Sequence, residues 1–120
     1  MVNVKNILLF LLLITFSLKS ETPTPLLQEN CINCHLNEKI PSELIYRRYL
    51  ERYSTHRVIK EKIFVYLTLP TKEESIMPKQ FFLKFPEKKS SDLNKSILRE
   101  SISDYLNYFD IRKKLYFPIK

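Results

Sequence analysis

The sequence predicts an all-α fold of about four helices joined by irregular loops. Three observations lead there. Apolar residues recur at spacings of three and four in several windows, the period of an amphipathic helix. Prolines at 41, 70, 78 and 86 fall between or beyond those windows, where they stop helices. The stretch 22–30, ahead of the two cysteines, is Pro-rich and then helical in composition, with nothing that reads as a strand.

Residues 1–20 read as an export signal. Lys5 supplies the positive start, and 7–18 is a near-continuous apolar run of 12 residues. That is the length of a signal core, whereas a membrane-spanning helix needs about 20. Ser20 is the candidate cleavage position, with a bulky Leu18 at minus three, and an uncleaved inner-membrane anchor is the alternative. The rest, 21–120, is one small domain, expected to be a monomer in the periplasm. Its size is marginal for a protein core by itself. Losing Lys5 and Lys19 takes the formal charge from +7 to +5. A basic exported protein suits an acidic protein partner or weak association with an anionic membrane surface, and no nucleic acid is expected.

The elements follow in order. A short helix from about residue 26 carries the cysteine pair, and Pro41 ends that segment. Over 43–53, Leu44, Ile45, Tyr49, Leu50 and Tyr53 form one stripe, with Arg47, Arg48, Glu51 and Arg52 opposite. A further helix over 55–69 places Ile59, Ile63, Tyr66 and Leu67 on its apolar face, and Pro70 stops it. Thr71-Lys72-Glu73-Glu74 fits a capping box. The segment 75–91 has no sustained period and holds Pro78, Pro86, Phe81, Phe82 and Phe85, which reads as an irregular loop with buried anchors. The last helix, 94–110, repeats Ile97, Leu98, Ser101, Ile102, Tyr105, Leu106 and Phe109 at three and four. Glycine is absent throughout, so turns draw on Pro, Asn, Asp and Ser, and loops are expected to be mostly right-handed or extended.

Cys31-Ile32-Asn33-Cys34-His35 carries the chemistry. Cys-x-x-Cys-His is the attachment motif of a c-type haem. Two intervening residues put both sulfurs on one side of a helical turn, ready to add across the two haem vinyl groups. The adjacent His35 then offers its imidazole to the iron. These are the only two cysteines, and they follow an export signal. Three other uses of the pair compete. A thioredoxin-type dithiol would sit at a strand-to-helix junction. A structural zinc site needs about four ligands, and only His56 is left to join Cys31, Cys34 and His35. A disulfide between neighbours closes too small a loop to stabilise much.

A six-coordinate haem needs a second axial ligand. Met77 is the only methionine besides Met1, it sits inside the irregular loop, and Pro78 follows it. A loop can press a thioether onto iron, which favours the ferrous form and raises the potential. The ordinary role of methionine is gap-filling in a core. His56 is the rival ligand, although its neighbours Ser54, Thr55 and Arg57 suggest a solvated helix start. Lys72, Lys79, Lys84, Lys88 and Lys89 surround this loop, either as a docking ring for an acidic redox partner or as ordinary solvated charges. Phe81, Phe82 and Phe85 are expected to pack on the porphyrin.

In order and spacing the chain resembles the small monohaem class I c-type cytochromes. Cys31, Cys34 and His35 match the attachment motif. Ile40-Pro41-Ser42-Glu43-Leu44 sits where that family often has Gly-Pro-x-Leu, and Ile76-Met77-Pro78 resembles its Met-Pro ligand loop. Ile102-Ser103-Asp104-Tyr105-Leu106 is similar to its last helix. The resemblance implies a small cytochrome c-like fold around one covalently bound haem c. It also implies that the Pro41 carbonyl accepts a hydrogen bond from His35 Nδ1–H. The implied function is one-electron transfer rather than catalysis, with iron held by His35 and Met77. A haem c protein with an open or labile sixth site that binds a gas or peroxide is the alternative. The family's glycine before the proline is missing here, as is the small residue its first helix often uses where it crosses the last.

Overall fold

Thr24 and Pro25 start the first helix of the domain. The Thr24 hydroxyl accepts the Leu27 N–H at 3.2 Å, and proline suits the first helical position, where no amide donor is needed. The computed structural model describes residues 3–7 and 21–114. Most of the expected export signal and the end of the basic tail therefore lie outside the described residues. Among the described residues all regular structure is helical, and no helix is long and apolar enough to cross a membrane.

Three consecutive stretches, Pro25–Leu27, a π-helical turn at Gln28–Ile32 and Asn33–Asn37, form one run, α1. Helix α2 spans Ser42–Tyr53, α3 spans His56–Thr68 and α4 spans Lys95–Tyr108. Single turns of 3₁₀ helix occupy Lys79–Leu83 and Ile111–Lys114. Asn94 caps α4 by accepting the Ser96 N–H at 2.8 Å. The Thr71 hydroxyl accepts the Glu74 N–H at 3.3 Å, half of the expected capping box.

The absence of glycine shows at two helix ends. Lys39 after α1 and Ser54 after α2 adopt φ of 55° and 61°. Glycine usually takes this left-handed position, and another residue there costs about 1–2 kcal/mol. Backbone bonds offset part of that cost: Ile40 N–H to the His35 carbonyl at 3.0 Å, and Ser54 N–H to the Leu50 carbonyl at 2.9 Å.

Helix α4 packs on α1 and α3, and α2 packs on α3. Leu98, Ser101, Ile102, Tyr105 and Leu106 of α4 are all buried, at positions i, i+3, i+4, i+7 and i+8. Ile59 and Ile63 of α3 face them in the core. The small residue at the crossing of α1 and α4 lies on the last helix: Asn30 Nδ2 donates to the fully buried Ser101 hydroxyl at 3.2 Å. The expected stripe of α2 is rotated. Tyr46, which that stripe omits, is fully buried, while Leu44 is 42% exposed. A tyrosine is buried at low cost when its hydroxyl has partners. Tyr46 Oη lies 3.0 Å from His56 Nε2 and donates to Asp110 Oδ1 at 3.3 Å.

Candidate functional site

Cys31 lies in the π-helical turn, and Cys34 and His35 in the α-helical turn that follows. Residues three and four apart share a helix face, so α1 turns all three toward the same side. Opposite them the chain leaves α3, passes Pro70 and enters the irregular loop. The two sides enclose a cavity of about 530 Å³ lined by Cys31, Cys34, His35 and Met77. That volume suits a cofactor. Its walls are mostly apolar and include Tyr49, Ile63, Phe81, Phe85, Ile102 and Tyr105.

Two thiols, an imidazole and a thioether around one apolar slot are the donors a c-type haem takes, so the residues present fit that group. Cys31 and Cys34 form no disulfide with each other. Burial pushes the Cys31 thiol up to about 11, with Lys88 opposing. A catalytic dithiol needs the reverse, a lowered thiol pKa. Burial, then Lys88, lowers the His35 pKa and keeps its ring neutral, the form that ligates metal. Among the described residues no group of three His, Cys, Asp or Glu side chains is arranged to hold a metal ion.

The His35 ring is held from α2 and α4. Its Nδ1 lies 2.8 Å from Ser42 Oγ. The Pro41 carbonyl, which the resemblance offered for this bond, accepts the Ile45 N–H at 3.3 Å, opening the hydrogen-bond ladder of α2. The Tyr105 hydroxyl donates to the Ser42 carbonyl at 2.5 Å. Its ring also meets the His35 ring edge-on, centroids 6.4 Å apart.

Met77 is held by its backbone. The hydroxyl of Ser75, 4% exposed, accepts the Met77 N–H at 3.1 Å. Farther along, Phe81 stacks on Phe85 at 4.5 Å, and Ser91 N–H bonds the Leu67 carbonyl at 2.7 Å, tying the loop back to α3. Of the expected aromatic walls, Phe81 and Phe85 line the cavity. Phe82 lies outside its lining, packing edge-on against Phe81 with Lys72 Nζ 5.9 Å from its ring centre. Of the five loop lysines, Lys88 and Lys89 reach the cavity, beside Glu38 and Glu87.

His56 lies apart from the cavity lining. Its Nε2 lies 3.0 Å from Tyr46 Oη and 3.1 Å from Arg112 Nη2, and 3.9 Å from Asp110 Oδ2. This cluster joins α2 and α3 to the turn after α4.

Sequence reasoning missed Ser42 and Ser75 as site residues. Each is a serine beside a candidate ligand, too common a pattern to stand out in a chain. Compared with known protein families, curated proteins and solved structures, the chain matches none of them.

Proposed function

We propose that this protein is a periplasmic monohaem cytochrome c acting as a one-electron carrier. One observation carries the reading: a single cavity of about 530 Å³ is lined by Cys31, Cys34 and His35 and by Met77, 42 residues after His35. Cys31 and Cys34 would hold haem c and His35 and Met77 would ligate its iron, and the bound group would supply the one-electron couple. The chain's residues do the rest. His35 offers a neutral nitrogen, and Ser75 holds the Met77 backbone so that its sulfur stays in the slot. Ile63, Ile102 and the aromatic walls exclude water, which limits solvent rearrangement as charge changes. Lys88 and Lys89 at the cavity provide positive charge toward an acidic redox partner.

Export of the full chain in a host that attaches c-type haem tests this. Haem should stay with the polypeptide through denaturing electrophoresis, and neither thiol should alkylate. Reduced and oxidised spectra should report a low-spin iron with a weak near-infrared sulfur-to-iron band. If acid–acetone strips the haem, or both thiols alkylate in the native protein, the reading is wrong. If haem is covalent but the ferrous wild type binds carbon monoxide readily, the gas- or peroxide-binding alternative takes its place.

A further inference from the structure

We infer that Ser42, held in place by Tyr105, is the residue that orients the His35 imidazole. The inference rests on the proposed haem ligation by His35. Nδ1 of that ring lies 2.8 Å from Ser42 Oγ, which leaves Nε2 as the nitrogen able to ligate. The ligating tautomer carries its proton on Nδ1, so Nδ1–H donates and the serine hydroxyl accepts.

Further observations support Ser42. Ser42 opens α2, and its own carbonyl accepts the Tyr105 hydroxyl at 2.5 Å from α4, 63 residues away. Tyr105 is 5% exposed, so this clamp is shielded from water. The Tyr105 ring then meets the imidazole edge-on, its plane at 63° to it, so one tyrosine restrains both the ring and the ring's acceptor. Helices α1, α2 and α4 thereby meet at the His35 side chain, and the ligand's orientation is set by how the helices pack.

The chemistry differs from that of a carbonyl acceptor. A hydroxyl is the weaker acceptor and draws the Nδ1 proton less. The imidazole therefore gives less electron density through Nε2, and the ferrous form is favoured. Removing the acceptor carries this further. Ser42→Ala should shift the ferric-to-ferrous equilibrium about tenfold toward ferrous, about 59 mV for one electron. Ser42→Thr keeps a hydroxyl and should restore the wild-type potential. Tyr105→Phe keeps the ring, frees the Ser42 carbonyl, and should move the potential the same way by a smaller factor.

The experiment is a redox titration of the four exported proteins, with exchange of the His35 Nδ1 proton followed by NMR in the ferrous state. A shift of the potential in Ser42→Ala that Ser42→Thr reverses, with faster proton exchange in the alanine variant that threonine also reverses, supports the assignment. An unchanged potential, or a shift that threonine fails to reverse, overturns it. A purely structural serine would change the melting temperature and leave the potential alone. If the wild type carries no covalent haem, the proposed function fails while the bond remains testable in the haem-free chain. There the His35 ring nitrogen shifts should move in Ser42→Ala and return in Ser42→Thr, and unmoved shifts overturn the bond itself.

Discussion

Asp110→Asn removes one charge and keeps the shape of the side chain, and its effect can be worked from the structure. Asp110 is 8% exposed. Its Oδ1 accepts Arg112 Nε at 2.9 Å and the Arg112 N–H at 3.1 Å, and its Oδ2 accepts Arg112 Nη2 at 2.9 Å. Those bonds to Arg112 hold the Asp110 carboxyl at about 2, below its ordinary 3.8. A folded-state pKa below the unfolded one means the charged form stabilises the fold. The contribution is complete above the unfolded pKa and is lost as pH falls toward the folded one. Full linkage amounts to about 2 kcal/mol. The Arg112 side chain is 54% exposed, so water screens the pair and about 1 kcal/mol is expected. Urea denaturation followed by circular dichroism should find Asp110→Asn about 1 kcal/mol less stable than wild type at pH 7. Protonation of Asp110 by itself should close about half of that gap by pH 3. His56 adds a separate trend. Burial, then Arg112, lowers its pKa, so wild type loses stability as pH falls below about 6.5, where the unfolded chain takes the proton first. Asp110 opposes that lowering, so the variant should be the more sensitive of the two near pH 6. If haem is bound as proposed, its spectrum should not change, because the cluster lies outside the cavity lining. Equal stability at pH 7, or a gap that fails to narrow between pH 5 and pH 3, would refute the linkage.

Three other outcomes are expected. Met77→Ala should lower the potential, abolish the near-infrared band and open the ferrous protein to carbon monoxide, while His56→Ala leaves all three as in wild type. Ser75→Ala removes the acceptor of the Met77 N–H, a bond of about 1 kcal/mol, and stopped-flow mixing should find carbon monoxide binding about fivefold faster through the loosened loop. Leu106→Ala opens a hole at a fully buried position of α4, and thermal or urea unfolding should record a loss of about 2–5 kcal/mol.

How much was legible in the chain depended on whether the cause was local. The α3 and α4 stripes were readable because apolar spacing of three and four reports one helix against one core. Ile59, Ile63, Leu98, Ile102, Tyr105 and Leu106 are all buried where that spacing puts them, while Ile97 of the expected α4 stripe is exposed. The boundaries near 41, 70 and 94 were readable because proline and capping residues act on adjacent backbone groups. The rotated face of α2 was not, since Tyr46 reads as a half-polar residue in sequence. It is buried because His56 and Asp110, 10 and 64 residues away, meet its hydroxyl. The π-helical turn before Cys34 left no compositional mark.

By itself the sequence determined the helical class, the ends of its helices and the placing of Cys31, Cys34 and His35 on one helical run, because each follows from bonds between near neighbours. The tertiary structure decided what those residues face. Only the packing of α1, α3 and the loop around 75–89 puts Met77 in one cavity with the cysteines and His35. Only the approach of α4 to the start of α2 gives His35 a serine in place of a proline carbonyl and sets Tyr105 behind it. Hydrogen bonds across 63 residues depend on how whole helices dock, and docking is driven by buried area that no local window contains.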